Sequence, residues 1–468
     1  MKKLLLSASV LMMASAGAFA ATDGKTYAET DGFTCENVWI LDRIHTEADY
    51  NAAPIASKDS RTAVTDGKLV WVVVNGPKGK DGSYGQAVLH KYDLMTGEYK
   101  GQLPLLNEDG TAYVGQLAAN TVGMDDYGHL YIAPFKANGD GSGNANIYIV
   151  DTESGKVASV GDLPFYGEKG RIDYVDVAGD LTGKEFRCDV MAAGSGDAAK
   201  VFGWTLLQGE TEWAGMFEGM PALAITQYYP EKSTNFSTAP TASIVRSLYS
   251  ADGVNMFYAD GHATIATLYN IDGSLADGFM NAPEGIVVPN AGTNGLHEMT
   301  VGSQNFVVYS EGQYDGAHSC QAIISTINEN MEFSSLKNLW TVPEDGLGQV
   351  SDGGVRVHCI NSVALPEVNG KQARLVVSFK CFNGLAVYKV AEAGYGSVEG
   401  NVVADATIRV NGDVISVSET AETIEVYNVA GQKVAEARNA TEVAAPANGV
   451  YVVKAVVAGA PVVAKVVL

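Results

Sequence analysis

The sequence predicts an all-β chain built from repeated units, and three observations carry that reading. Glycine is abundant, at 52 residues, and many glycines fall in D-G and N-G pairs that punctuate short runs rich in Val, Ile, Tyr, Phe and Thr. Amphipathic helical periodicity is hard to find anywhere along the chain. The strand-and-turn pattern also recurs at a roughly constant interval.

The clearest strands are Leu69–Val74, Leu130–Ala133, Asn305–Tyr309 and Arg374–Phe379, each followed after a variable loop by a second strand. Turns open the first strand of a pair, as at Asp66-Gly67, Tyr127-Gly128, Asp252-Gly253 and Asn369-Gly370. The second strand ends in an aromatic or aliphatic residue, often with a polar turn: Tyr92-Asp93, Val150-Asp151, Trp204-Thr205, Tyr269-Asn270, Ile327-Asn328 and Tyr388. These anchors recur about every 54 to 65 residues, the size of an elaborated four-stranded blade. Six such units fit between Ala21 and about Ala393, so the expected architecture is a β-propeller of about six blades. Ring closure removes exposed sheet edges, and Asn37–Ile40 is expected to complete the last blade as an N-terminal strand. The rivals are a pair of β-sandwiches or a β-solenoid, and a solenoid requires a shorter and stricter period. The segments Tyr92–Gly97 and Val150–Gly155, each running from Asp through a turn into a strand that ends in Leu-Pro, resemble the outer hairpin of propeller blades.

Before the repeats, Met1-Lys2-Lys3 gives a positive start, Leu4–Met13 an apolar run, and Ala18-Phe19-Ala20 a small-residue pattern. This order is that of a secretory signal peptide, with cleavage expected before Ala21. The apolar run is well short of the roughly 20 residues that span a bilayer, so no transmembrane segment is expected. The apolar fraction of 46% is ample for a packed core. Net charge is −23, and such an acidic surface, with no Lys/Arg cluster to offset it, excludes nucleic acid as a partner. The five cysteines, Cys35, Cys188, Cys320, Cys359 and Cys381, are widely spread and odd in number. One or two disulfides are permitted, but the chain is no disulfide scaffold, and without a C-x-x-C pair a cysteine-rich zinc site is not expected.

A Gly-rich linker at 394–400 breaks the β pattern, and a compact unit of about 70 residues follows. Its alternating strands, Ala406–Val410, Val414–Val417, Ile424–Tyr427, Lys433–Ala437, Val450–Ala455 and Val462–Val467, are expected to form a small immunoglobulin-like antiparallel sandwich. Residues 401–468 resemble the C-terminal sorting domain of type IX secretion cargo. The resemblance is carried by Ile424–Val434, by Ala447–Val453 and by the terminal Lys465-Val466-Val467-Leu468. A single lysine stands where many relatives carry more basic residues. The resemblance implies the type IX machinery as partner, passage across inner and outer membranes, removal of this domain, and a product attached at the cell surface or released.

For chemistry, the sequence holds no G-x-S-x-G elbow, H-E-x-x-H, phosphate-binding loop or dinucleotide fingerprint. His297-Glu298-Met299-Thr300-Val301 lacks the second His of a zinc helix and reads as a polar pair at a blade edge. The stretch from Tyr309 to His318 gathers Glu311, Asp315, His318 and Tyr314 in a Gly-rich loop. Carboxylates and aromatics of this kind suit a sugar site or general acid/base work, while the plainer reading is a solvated loop. Trp213, Tyr228, Tyr229 and Trp340 lie in less regular stretches, where an aromatic could stack on a sugar ring; Trp39, Trp71 and Trp204 sit in strands and are read as core. Asn138, Asp140 and Asn144 alternate with Gly in a run that calcium could use, although it lacks the closing Glu of an EF-hand, and Lys80–Gly85 is similar. No other cofactor is expected. Three functions remain open at this point. The leading one is a surface or secreted module binding a carbohydrate or protein; the others are a polysaccharide-degrading hydrolase or lyase and a structural or adhesive module.

Overall fold

The computed structural model describes residues 20–21, 25–80, 84–114, 119–138, 141–195, 200–225, 244–250, 253–261, 264–289, 293–311, 320–348, 358–396, 406–411, 414–428, 432–444, 449–457 and 460–467. The signal-peptide segment, Tyr228, Tyr229, Tyr314, Asp315, His318 and Asp140 lie outside them. The chain divides into two compact units, Met1–Glu367 with Gln372–Ala393, and Gly394–Leu468 with Val368–Lys371.

In the first unit the described strands form six antiparallel sheets. The first comprises Ser60–Thr65, Leu69–Val74, Val88–Asp93 and Tyr99–Pro104, and the second Thr121–Met124, Leu130–Ala133, Asn144–Val150 and Val157–Pro164. The third is built on Asp176–Gly179, Cys188–Ser195 and Lys200–Leu206, and short extra strands make it irregular. The fourth runs from Ile244–Ser250 to Leu275–Gly278, and the fifth from Thr293–Val301 to Lys337–Val342. The sixth orders His358–Ala364, Ala373–Lys380 and Gly384–Glu392, then takes Phe33–Asp42 and Thr26–Thr30 from the N-terminal region.

The strands are apolar on both faces because each sheet packs on two neighbours. In Leu69–Val74, Val70 and Val72 point into a core shared with the sixth sheet, while Trp71 and Val73 point into a core shared with the second. The same period-two split sends Val307 and Tyr309 toward the fourth sheet and Phe306 and Val308 toward the sixth. Six inter-sheet cores, one at each junction, therefore close a ring. The innermost strands also touch in a closed cycle. This is the β-propeller arrangement, in which closure leaves no sheet face uncovered.

Polar side chains tie these inner strands together. Thr62 Oγ1 accepts the Val122 N–H at 2.7 Å, Thr121 Oγ1 accepts that of Val175 at 3.3 Å, and Asn361 Oδ1 accepts that of Thr65 at 3.1 Å. Phe33–Asp42 completes the circle by pairing with Gly384–Glu392, and its Trp39 donates Nε1–H to Leu94 O in the first sheet at 2.8 Å. The turns after Asp93 and Asp151 reverse the third strand of a sheet into its fourth. Asp93 Oδ1 accepts from the Met95 and Thr96 amides, and Asp151 Oδ1 from those of Glu153 and Ser154. Gly97 ends the first of these turns at φ +68°, where an added Cβ would lie 2.7 Å from the Trp39 ring.

In the second unit the described strands Ile408–Asn411, Val414–Asn428, Lys433–Ala444, Val450–Val457 and Ala460–Val467 join in one antiparallel sheet over a single core. Val414–Val417 and Ile424–Tyr427, expected as two strands, are halves of one 15-residue strand. Its pairing slips between Ser416 and Ala421, and such an irregularity lets a long strand bend without ending.

Candidate functional site in the ring axis

The innermost strands leave a cavity of about 470 Å³ on the ring axis, lined by residues of the first, second, third, fifth and sixth sheets. That volume is within the range of small-ligand sites. Among the described residues, three carboxylates border it, Asp126, Asp176 and Glu298, together with His297, Tyr131 and Tyr174, and neither Lys nor Arg is among the described lining residues.

Asp126 follows the innermost strand of the second sheet and is held against the third, its Oδ2 accepting the Gly179 N–H at 2.7 Å. Burial raises its pKa; the Gly179 bond pulls it back, and the charges of Asp176 and Asp125 raise it again. Glu298 lies on Thr293–Val301, opposite Val307. Burial pushes its carboxyl up to about 7, against a smaller lowering by the Tyr258 phenol. The adjacent His297 turns toward the sixth sheet, with Nε2 2.8 Å from Ser362 Oγ. Ser362 Oγ also accepts from Arg374 Nη1 at 3.0 Å, which places that guanidinium behind the cavity wall.

The residues expected to carry function fall differently. His297-Glu298 does occupy a sheet edge, but an edge that lines the axial cavity. Glu311 ends the strand Gln304–Glu311 opposite Thr293, and its side chain is outside the described residues. Trp213 is not a ligand platform: it is 4% exposed, packs in the core between the second and third sheets, and donates Nε1–H to Val160 O at 2.9 Å. Trp340 is likewise core, 6% exposed and bonded to Ala28 O at 2.9 Å. Trp213 does lie outside the strands, just before Ala214–Gly215, and Trp340 lies within Lys337–Val342, but in both places the ring is buried in an inter-sheet core. Asn138 belongs to Lys136–Asn138, paired with Gly170–Ile172, and Asn144 starts Asn144–Val150, opposite Pro164. The five cysteines are buried as thiols.

Among the described residues the group with metal-ligand spacing is Asp125, His129 and Asp180, elsewhere than expected. Its carboxylates are already engaged. Asp125 accepts from the Tyr127, His129 and Leu181 amides and from His129 Nδ1, and Asp180 from Thr182, Lys184 and Glu185. His45 and Asp42 repeat the same pairing at 2.7 Å, so these Asp–His units read as loop fasteners. Sequence reasoning missed Asp126, Asp176, Tyr131 and Tyr174. The one available signal was Asp125-Asp126 directly before the Tyr127-Gly128 turn, where an innermost strand hands over to the next.

No protein-family model matches the sequence, and no curated protein is similar to it at a significant level. Similar solved structures include the Trypanosoma rangeli sialidase in complex with sialic acid, at 8% identity and TM-score 0.37, covering 87% of this chain and 83% of that one. A polysaccharide lyase matches at 9% identity and TM-score 0.33, covering 71% and 89%. The β-propeller domain of the Trilobed protease from Pyrococcus furiosus matches at 12% identity and TM-score 0.29, covering 70% and 94%. Likenesses this distant assign no chemistry, and the propeller description rests on the closed ring of sheets and cores. Among the described residues no helix is long and apolar enough to cross a membrane.

Proposed function

We propose that this chain is an exported six-bladed propeller that binds a glycan in its axial cavity, and that residues 401–468 are a type IX secretion sorting domain. The observation that carries the binding reading is the cavity of about 470 Å³, edged by carboxylates, phenols and an imidazole. Sugar recognition uses such groups, with hydroxyls donating to carboxylates and C–H faces resting on aromatic rings. The six sheets with a core at every junction support the blade count. The sorting reading rests on the motif stretches Ile424–Val434 and Ala447–Val453. Export by this route is tested by deleting 401–468 in a host with type IX machinery. The deleted chain is expected to stop in the periplasm, and its unchanged arrival outside the cell would overturn the reading.

One observation favours a second reading, a polysaccharide hydrolase or lyase. A carboxyl held near pKa 7, as Glu298 is, can donate a proton at neutral pH. The full-length purified protein, incubated with soluble and insoluble polysaccharides, separates the two. Retention without release, lost in Asp126→Asn, supports binding. Released oligosaccharide that disappears in Glu298→Gln supports catalysis. Loss in Glu311→Gln or Asp315→Asn alone would move the site to the loop after Gln304–Glu311.

A further inference from the structure

Ser362 and His297 meet at the wall of the axial cavity, and both line it. Ser362 is on His358–Ala364, the inner strand of the sixth sheet, opposite Val376, and His297 is on Thr293–Val301, the inner strand of the fifth, opposite Val308. Both residues are half-buried. Ser362 Oγ lies 2.8 Å from His297 Nε2 and accepts from Arg374 Nη1 at 3.0 Å. Arg374 Nε also donates to Thr300 O at 2.9 Å, which fixes the guanidinium across the junction of the two sheets. A guanidinium has donors and no acceptor, so of the two groups bonded to Ser362 Oγ only His297 can take its proton. A hydroxyl within reach of an imidazole that can accept its proton has the geometry of an activated nucleophile. The guanidinium on the same oxygen stabilises the negative charge that grows there as the proton leaves. No G-x-S-x-G elbow is required, because nucleophile–base pairs recur on unrelated folds and are defined by geometry.

We infer that Ser362 is the nucleophile and His297 the general base of an ester hydrolase in the axial cavity, acting on O-acetyl groups of a sugar. The sugar part rests on the glycan reading above, and the nucleophile does not. A cavity of about 470 Å³ has room for a short acyl group and the sugar that carries it. In the first step Ser362 Oγ bonds to the acetyl carbonyl carbon as its proton passes to His297 Nε2. The bond between that carbon and the sugar oxygen then breaks, the proton moves from Nε2 to the departing oxygen, and an acetyl ester of Ser362 is left. Water next attacks the acetyl carbon and gives a proton to the same Nε2. The bond from that carbon to Oγ breaks, Oγ recovers the proton, and acetic acid leaves.

The full-length protein is treated with a fluorophosphonate, which phosphonylates activated serines, and the modified peptide is identified by mass spectrometry. A label on Ser362 that His297→Gln abolishes is expected. No label, or a label on another residue, would overturn the nucleophile, and this readout on the wild-type chain stays decisive should a variant unfold. Acetate release is then followed from acetylated xylo-oligosaccharides and from p-nitrophenyl acetate. The wild type is expected to cleave both, and Ser362→Ala and His297→Gln, each confirmed folded by an unchanged melting temperature, to lose about a hundredfold or more in rate. Equal release by the wild type and both variants would overturn the assignment. Cleavage of p-nitrophenyl acetate through Ser362, with no oligosaccharide retained or cleaved, would overturn the sugar ester and the glycan reading with it and leave the nucleophile standing. Retention of the deacetylated oligosaccharide without labelling of Ser362 would overturn the nucleophile and leave the glycan reading standing.

Discussion

Two buried side chains give the protein opposing responses to pH. Glu298 is held at about 7 against an ordinary 4.5. Between those values the folded chain keeps a proton that the unfolded chain has released, so its contribution makes stability fall as pH rises, by up to about 3 kcal/mol in total. His90 is held down to about 4 by burial, against an ordinary 6.5, so across that window the unfolded chain holds the extra proton and stability rises with pH. The windows overlap and the slopes oppose, so these two contributions are expected largely to cancel between about pH 4.5 and 6.5. Urea unfolding across this range should show a falling profile for His90→Gln and a rising one for Glu298→Gln. A flat profile in both variants would mean that neither group titrates as described. Asp66 makes a third, simpler case. Its carboxylate accepts from the Lys68 and Leu69 amides and from Trp71 Nε1, and Asp66→Ala should cost about 1–3 kcal/mol in the same assay.

At the scale of elements, the strand Phe33–Asp42 stands out because it belongs to two junctions at once. Trp39 and Leu41 enter the core between the sixth and first sheets, and Ile40 and Cys35 enter the core between the fifth and sixth. Trp39→Ala is expected to destabilise by about 3–5 kcal/mol, measured by thermal or urea unfolding. A chain starting at Arg43, which leaves both cores open, is expected to lose cooperative unfolding altogether. The four clearest expected strands of the first unit lie within the observed ones because strands buried on both faces are nearly continuous apolar runs, and Leu69–Val74 and Arg374–Phe379 stand out as such. Asp93 and Asp151 were legible for a related reason, since a carboxylate that caps its own turn leaves a local signature. The cavity was not legible. Its residues come from innermost strands of sheets far apart in sequence, and Asp126, Asp176 and Glu298 are separated by whole units. No local pattern reports which inner-strand residues meet on an axis. Trp213 and Trp340 were misassigned because irregular sequence does not report burial: Trp213 lies just before Ala214–Gly215 and Trp340 within Lys337–Val342, and both rings pack into inter-sheet cores.

The whole molecule combines a net charge of −23 with an axial cavity whose described lining includes Asp126, Asp176 and Glu298. Polyanions are therefore repelled at long range, and retention on heparin-like or nucleic-acid supports is expected to be negligible even at low ionic strength. The ring is joined across the entire unit: Asn37 donates to Val387 O over a separation of 350 residues. Contacts of that span form slowly, because nearly the whole chain must be available before its ends can meet. On the export route proposed above, a chain threaded through a membrane from its N-terminus presents Phe33–Asp42 early and Gly384–Glu392 late. On that route Phe33–Asp42 must wait for Gly384–Glu392, so the ring cannot lock until nearly all of this unit has crossed.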